Sequence, residues 1–183
     1  MSIGGQVVND SVSAVFKAFE DHPEWKNVLI VADWTGSMYP YLGQVMRWHR
    51  LNIDKQVIKH IVLFNDGDGN LRSPDSQKIV GRTGGIYHAD PLNMADFLEK
   101  VKIAVDNGSG DESEENDLEA ITEGIRTYDD IDCVVLIADN SEVRDMALLS
   151  MINKPVHVVI YDGGYVADYV KIAYQTGGSI TTI

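Results

Sequence analysis

Cysteine is almost absent from this 183-residue chain. The single one, Cys133, rules out an intrachain disulfide and any metal site built on several thiolates. It opens an apolar run and reads as a small buried hydrophobe. Long apolar stretches are also missing: no run approaches the roughly 18 residues that a membrane-spanning helix needs. The N-terminus carries no basic segment followed by an apolar one, so the sequence offers neither a membrane span nor a signal peptide. The expected compartment is the cytoplasm if the chain is complete, or an extracytoplasmic space if it is a domain of a longer protein. Positive charge is scarce, with 15 Lys and Arg against 28 Asp and Glu, a formal charge of -13 and a pI near 4.6. That balance repels nucleic acid and anionic membranes and favours cations or basic partners, although plain solvation accounts for it equally well. The five histidines (His22, His49, His60, His88 and His157) show no short metal-ligand spacing. No Gly-x-Gly-x-x-Gly follows the first apolar strand, which argues against a dinucleotide site.

Apolar residues make up 44% of the chain, enough for a globular core in one domain. Val28 to Ala32 is a run of five apolar residues, three of them β-branched, and predicts a buried central strand. Further strands are expected over Val57–Phe64, Cys133–Ala138, Pro155–Tyr161 and Ser179–Ile183. Helical spacing appears over Val7–Phe19, from Pro40 to about Leu51, over Asn93–Val105, through Leu118, Ile121 and Ile125 to about Tyr128, over Val143–Ile152, and over Tyr165–Gln175 before Gly177-Gly178. The polar segment between Asn65 and Asn93 leaves room for one short antiparallel strand, with Lys78–Gly81 as a candidate. Alternating strands and helices predict a doubly wound α/β fold: a mostly parallel six-stranded sheet, one short antiparallel edge strand and helices on both faces. The expected layout is a single domain over 1–183, with an N-terminal helical segment at 1–26 and the core at 27–183.

Three groups of oxygen donors fall at the same edge of this sheet. Asp33, Thr35 and Ser37 follow the first strand, Asp139 follows the strand that begins at Cys133, and the Gly108–Asp117 loop precedes the helix feeding that strand. In open α/β sheets ligands bind outside the carboxyl ends of the strands. A strand-end Asp on its own is commonly a helix cap. Clustered carboxylates, however, repel one another unless a cation or a proton neutralises them, and hard divalent cations take this kind of oxygen donor. Asp66 and Asp68, in the Asn65–Asn70 stretch, read as a solvated turn with a secondary cation role as the alternative.

Asp33-Trp34-Thr35-Gly36-Ser37, followed by Met38, resembles the Asp-x-Ser-x-Ser motif of von Willebrand factor type A (vWA) domains, with Thr replacing the first Ser and keeping its hydroxyl. Leu136-Ile137-Ala138-Asp139 resembles the strand-end aspartate of that family. Gly108-Ser109-Gly110-Asp111-Glu112-Ser113-Glu114 resembles a Gly-rich Asp-x-Pro-Glu loop with Ser113 in place of proline. The resemblance covers about Val28 to Ile183 and implies a Rossmann-like vWA fold with a metal-ion-dependent adhesion site. It implies Asp33, Thr35, Ser37, Glu114 and Asp139 as metal ligands, with Glu115 and Asp111 one register choice away from Glu114. Mg²⁺ is the implied cation, with Mn²⁺ or Ca²⁺ as alternatives. A partner protein would supply a carboxylate to the open coordination position, and Trp34 would either flank the metal or join the core. No catalysis, nucleic acid or membrane is expected, and the oligomeric state is not readable.

A rival enzyme reading remains. Asp33-x-Thr35-Gly36-Ser37 also resembles the phosphorylated-aspartate motif of haloacid-dehalogenase-like phosphotransferases, with Asp33 as nucleophile and Lys100 or Lys102 as the phosphate lysine. Gly110-Asp111 with Asn116-Asp117 superficially resembles the metal-binding segment of that class, but Gly110-Asp111 follows a helical segment and not a buried strand, and no large cap region is evident. A vWA scaffold with a degenerate metal site is the third alternative.

Overall fold

Val28–Asp33 forms the central strand β1, and all six of its residues are buried because helices cover both faces of the sheet. The computed structural model describes residues 14–35, 38–65, 85–107, 114–161 and 167–182. Within them the element order is α1 (Ala14–Asp21), β1, α2 (Tyr39–Leu51), β2 (Ile58–Phe64), β3 (Ile86–Ala89), α3 (Met94–Asp106), α4 (Asp117–Thr127), β4 (Cys133–Ala138), β5 (Val156–Ile160), α5 (Ala167–Thr176) and β6 (Ile180–Thr182). Two short 3₁₀ turns, Ile53–Lys55 and Met146–Met151, lie between these elements. The helix expected over Val143–Ile152 is thus a tighter, shorter 3₁₀ segment in a stretch with few residues to bury, of which Leu148 and Leu149 are buried.

Among the described residues the strands make one sheet in the order β3-β2-β1-β4-β5-β6. All neighbours are parallel except β2 and β3. The antiparallel edge strand is therefore Ile86–Ala89, and the candidate at Lys78–Gly81 lies outside the described residues. The first seven residues of the helix expected over Val7–Phe19 also lie outside them.

Alternation along the strands divides the core in two. One face carries Val28, Ile30, Ala32, Ile61, Leu63, Val135 and Ile137 beneath α1, α2 and α3. The other carries Leu29, Val31, Val62, Phe64, Val134 and Leu136 beneath α4 and α5. Each such Val, Leu or Ile contributes roughly 1.5–3 kcal/mol when fully buried. Helix α1 joins the first layer through Val15, Ala18 and Phe19. Phe19 stacks on Trp48 of α2 at 4.0 Å and meets Trp25 edge-on at 5.3 Å, which ties α1 to α2 and to the loop that enters β1.

The pairing of β1 with β2 contains one irregularity. Val28 lies opposite Ile58 and Leu29 opposite His60, so Lys59 is an extra residue in the ladder. Strand order reverses at β1: the chain runs outward through β2 and β3, then returns to the other side of β1 for β4, β5 and β6. The carboxyl ends of β1 and β4 therefore flank a topological switch point, where such sheets open a crevice.

Candidate metal centre

Asp33 is the last residue of β1 and is 1% exposed. The Trp34 amide donates to the Phe64 carbonyl at 2.6 Å, after which the chain turns away from the sheet. The turn is held by Asp33 itself: its Oδ1 accepts the Thr35 amide at 2.8 Å and its Oδ2 accepts the Thr35 hydroxyl at 3.0 Å. Asp followed two residues later by a donor is a local sequence signal for this turn. Thr35 thereby sits beside the carboxylate. Ser37 lies outside the described residues, as do Asp66, Asp68 and Asp111.

Asp139 directly follows β4, the parallel neighbour of β1, and is half-buried. The third contribution comes from the segment entering α4. The Glu115 amide donates to the Glu142 carbonyl at 2.8 Å, and the Arg144 amide donates to the Glu115 carbonyl at 2.9 Å, a short parallel bridge between Glu115 and Val143. In extended backbone, consecutive side chains point to opposite sides. Glu115 is accordingly buried at 4% exposure. The Glu114 carboxylate, 47% exposed, lies 3.8 Å from Arg144, whose Nη2 also donates to the Glu114 carbonyl at 2.9 Å.

The result is a cluster in which Asp33, Glu115 and Asp139 each offer one carboxylate oxygen, all within 4.8 Å of one another. Two of the expected residues, Asp33 and Asp139, come together. The glutamate that meets them is Glu115 and not Glu114, because the bridge to Val143 sets the register one residue later than the motif match implied. Trp34 is a core residue, 8% exposed and 4.6 Å from the ring of Tyr39.

Three further buried carboxylates, Asp117, Glu119 and Asp145, were not foreseen. Asp117, fully buried in the first turn of α4, accepts the Tyr169 hydroxyl on Oδ2 at 3.2 Å, and its Oδ1 has no hydrogen-bond partner among the described residues. Burial, then the charges of Asp145, Asp33 and Asp139, push its carboxyl well above the usual range. Asp145 accepts the Leu118 and Glu119 amides at 3.2 and 2.5 Å, satisfying the open N-terminus of α4. Burial raises it to about 7 against those two bonds. An acidic residue in the first turn of a helix is visible in sequence, but nothing local distinguishes a solvated one from a buried one.

The donor set fits a hard divalent cation. Two full charges 4.8 Å apart repel by about 3–4 kcal/mol at an effective dielectric near 20. Three carboxylates at that spacing, two of them almost fully buried, therefore call for a neutralising cation or proton. The histidines are engaged elsewhere: His22 with Glu24, His49 with the Pro91 carbonyl, His60 with Asp130, His88 with Tyr128 and His157 with Ser179. Cys133 is buried at the start of β4, and burial raises its thiol to about 11. No helix among the described residues is long and apolar enough to cross a membrane. No protein-family model matches the chain, and no curated protein matches it in sequence.

Proposed function

We propose that this chain is a divalent-cation-dependent protein-binding module of the vWA kind, holding an acidic side chain of a partner at a metal-ion-dependent adhesion site. The observation that carries the reading is the convergence of Asp33, Glu115 and Asp139 at the β1/β4 switch point. Asp33, Glu115 and Asp139 would hold the cation, Mg²⁺ foremost, with the hydroxyls of Thr35 and Ser37 as the further donors the motif supplies. When bound, the cation offers positive charge to a partner's carboxylate.

The chain's own residues do the rest. Thr35 fixes the rotation of the Asp33 carboxylate through two hydrogen bonds. The Glu115–Val143 bridge fixes the third ligand from the far side of the crevice. Arg144 contacts the Glu114 carboxylate and donates to its carbonyl, while Glu115 is the glutamate that joins the cluster. The site is preorganised in this way, and little side-chain freedom is lost on binding.

The same details favour binding over phosphoryl transfer. Both oxygens of Asp33 accept hydrogen bonds from Thr35, and the group is 1% exposed, an arrangement suited to a fixed ligand more than to an attacking nucleophile. Overall acidity also gives the site its character: a charge of -13 slows the approach of an acidic partner, so added salt should speed association.

The test is thermal unfolding during titration with Mg²⁺, Mn²⁺ or Ca²⁺. At a hundred times Kd, linkage stabilises the native state by about 2.7 kcal/mol, a rise in Tm of roughly 5–10 °C for a chain of this size. Asp33→Ala should show no rise. A wild type indifferent to all three ions would overturn the proposal, and phosphoester turnover abolished by Asp33→Asn would replace it with the phosphotransferase reading.

A further inference from the structure

At the opposite edge of the sheet, a depression of about 210 Å³ is lined by Lys26, Asn27, Lys55, Gln56, Val57 and Lys59. It lies between the segments entering β1 and β2. Five residue steps along β1, roughly 17 Å, separate this edge from the carboxylate cluster. In a chain with 15 basic residues against 28 acidic ones, three lysines share this single hollow and no carboxylate lines it.

The backbone departs from regular geometry at Lys59 and at the residues that follow Lys26 and Lys55. Asn27 (φ 46°) and Gln56 (φ 50°) are the non-glycine residues with positive φ among the described residues, and each directly follows a lysine of the hollow. Left-handed backbone is costly for such residues, more so for Gln than for Asn, and strain of this kind concentrates at ligand sites. Lys59 is the extra residue in the β1–β2 ladder, and a bulge re-aims the side chain it carries. Irregular backbone thus accompanies each of the three lysines that line the hollow.

These lysines form no ion pair with a carboxylate among the described residues. The acidic groups nearby have other hydrogen-bond partners: Asp132 accepts from Asn27 of the lining at 2.9 Å, Asp130, which also feels the charge of Lys59, holds His60 at 2.6 Å, and Glu24 holds His22 at 2.9 Å. Asp54 adjoins Lys55 in sequence but does not line the hollow. Like charges gathered at one spot repel unless an anion joins them. The lining also narrows the class of anion. It has no arginine fork to match a planar carboxylate and no aromatic ring to stack a base, whereas ammonium groups act as adjustable point charges suited to a compact, doubly charged oxyanion.

We propose that the Lys26–Lys55–Lys59 hollow is a phosphate-binding site, which makes the protein two-ended, with a cation site at one edge of the sheet and an oxyanion site at the other. It stands on residues separate from those of the adhesion site and holds whether or not that reading does.

The experiment is a titration of the ¹⁵N-labelled chain, followed by amide shifts at constant ionic strength with a chelator present. The chelator removes divalent ions that would recruit anions to the acidic edge. The probes are inorganic phosphate, pyrophosphate and a phosphoserine peptide, with chloride as the blank. The expected result is saturable shifts at Lys26, Asn27, Gln56 and Lys59, with tighter binding of pyrophosphate than phosphate. Lys59→Gln should weaken binding tenfold or more, while Lys171→Gln on the exposed side of α5 leaves it unchanged. Asp33→Ala should bind like the wild type, which separates this site from the cation site. If the peptide outcompetes pyrophosphate the source is a phosphorylated protein, and if not it is a free phosphate. Should Lys59→Gln fail to fold, the double variant Lys26→Gln/Lys55→Gln changes two exposed lysines and carries the same expectation. Shifts no larger than those from chloride, or wild-type affinity in the lysine variants, would overturn the proposal.

Discussion

The Arg144 amide donates to the Glu115 carbonyl at 2.9 Å, while its guanidinium donates to the Glu114 carbonyl at the same distance. One residue thus grips both peptide units of the segment and fixes which glutamate faces Asp33 and Asp139. Arg144 has an 8% exposed side chain, so the grip works where water competes poorly.

Exchanging these glutamates should give unequal results. Glu115→Gln removes one carboxylate of the cluster, so it should abolish most of the metal-dependent rise in Tm and stabilise the metal-free protein through reduced repulsion. Glu114→Gln weakens an exposed contact with Arg144 and should shift Tm by less than 2 °C with metal affinity intact. Differential scanning fluorimetry with and without Mg²⁺ reads both. Equal effects would return the ligand role to Glu114.

Two glycines are required by close approach. A Cβ on Gly124 of α4 would meet Leu29 Cδ2 at 2.7 Å, the end of a flexible side chain, so Gly124→Ala should cost about 1–2 kcal/mol despite the better helix propensity of Ala. A Cβ on Gly178 would lie 1.9 Å from the Val156 carbonyl oxygen, which is backbone and cannot swing aside. Gly178→Ala should therefore cost about 3 kcal/mol or more and loosen β6 from β5. Urea unfolding midpoints separate the two.

His157 supplies a pH dependence. Its ring lies 4.6 Å from that of Trp25 and bonds the Ser179 hydroxyl at 2.9 Å. Burial first, then the neighbouring His22, lowers it to about 4, against the opposing charge of Glu24. The unfolded chain takes up a proton near pH 6.5 that the folded chain accepts only near pH 4. Its contribution is therefore complete above pH 6.5 and lost as pH falls through that window. Because the group is part-exposed, the loss should be about 1–2 kcal/mol. Asp145 has the opposite sign, since its raised value favours the folded state in acid and loses that contribution as pH rises toward 7. Comparing wild type with His157→Gln at pH 7.5 and pH 4.5 isolates the histidine: the gap in urea midpoint between the two proteins should narrow or reverse at the lower pH.

Much of the fold was legible because it depends on burial. The unbroken apolar runs of β1 and β4 permit hardly any other reading, and the helical spacings of α2, α3 and α4 fell within a few residues of their observed bounds. β3 was harder: Ile-Tyr-His-Ala on an edge is half-buried and has neither a continuous run nor a clear alternation. At the site, Asp33 and Asp139 were readable because strand ends are fixed by the strands. Glu115 was not, since its direction depends on a bridge to Val143, 28 positions further along, which no local pattern encodes. Asp117 and Asp145 escaped for the same reason, their burial being imposed by α5 and by the start of α4.

The placement of the tryptophans has an optical consequence. Trp25, Trp34 and Trp48 are all below 10% exposed, and each occupies a different part of one layer: the entry to β1, the residue after Asp33, and α2. Emission from the native chain should be blue-shifted throughout. Trp34, with an indole N–H that finds no partner among the described residues and a ring close to Tyr39, sits nearest to the place where charge would change when a cation arrives. The protein thus carries its own fluorophore at that edge, and a chain left with Trp34 alone would let ion arrival be followed without any label.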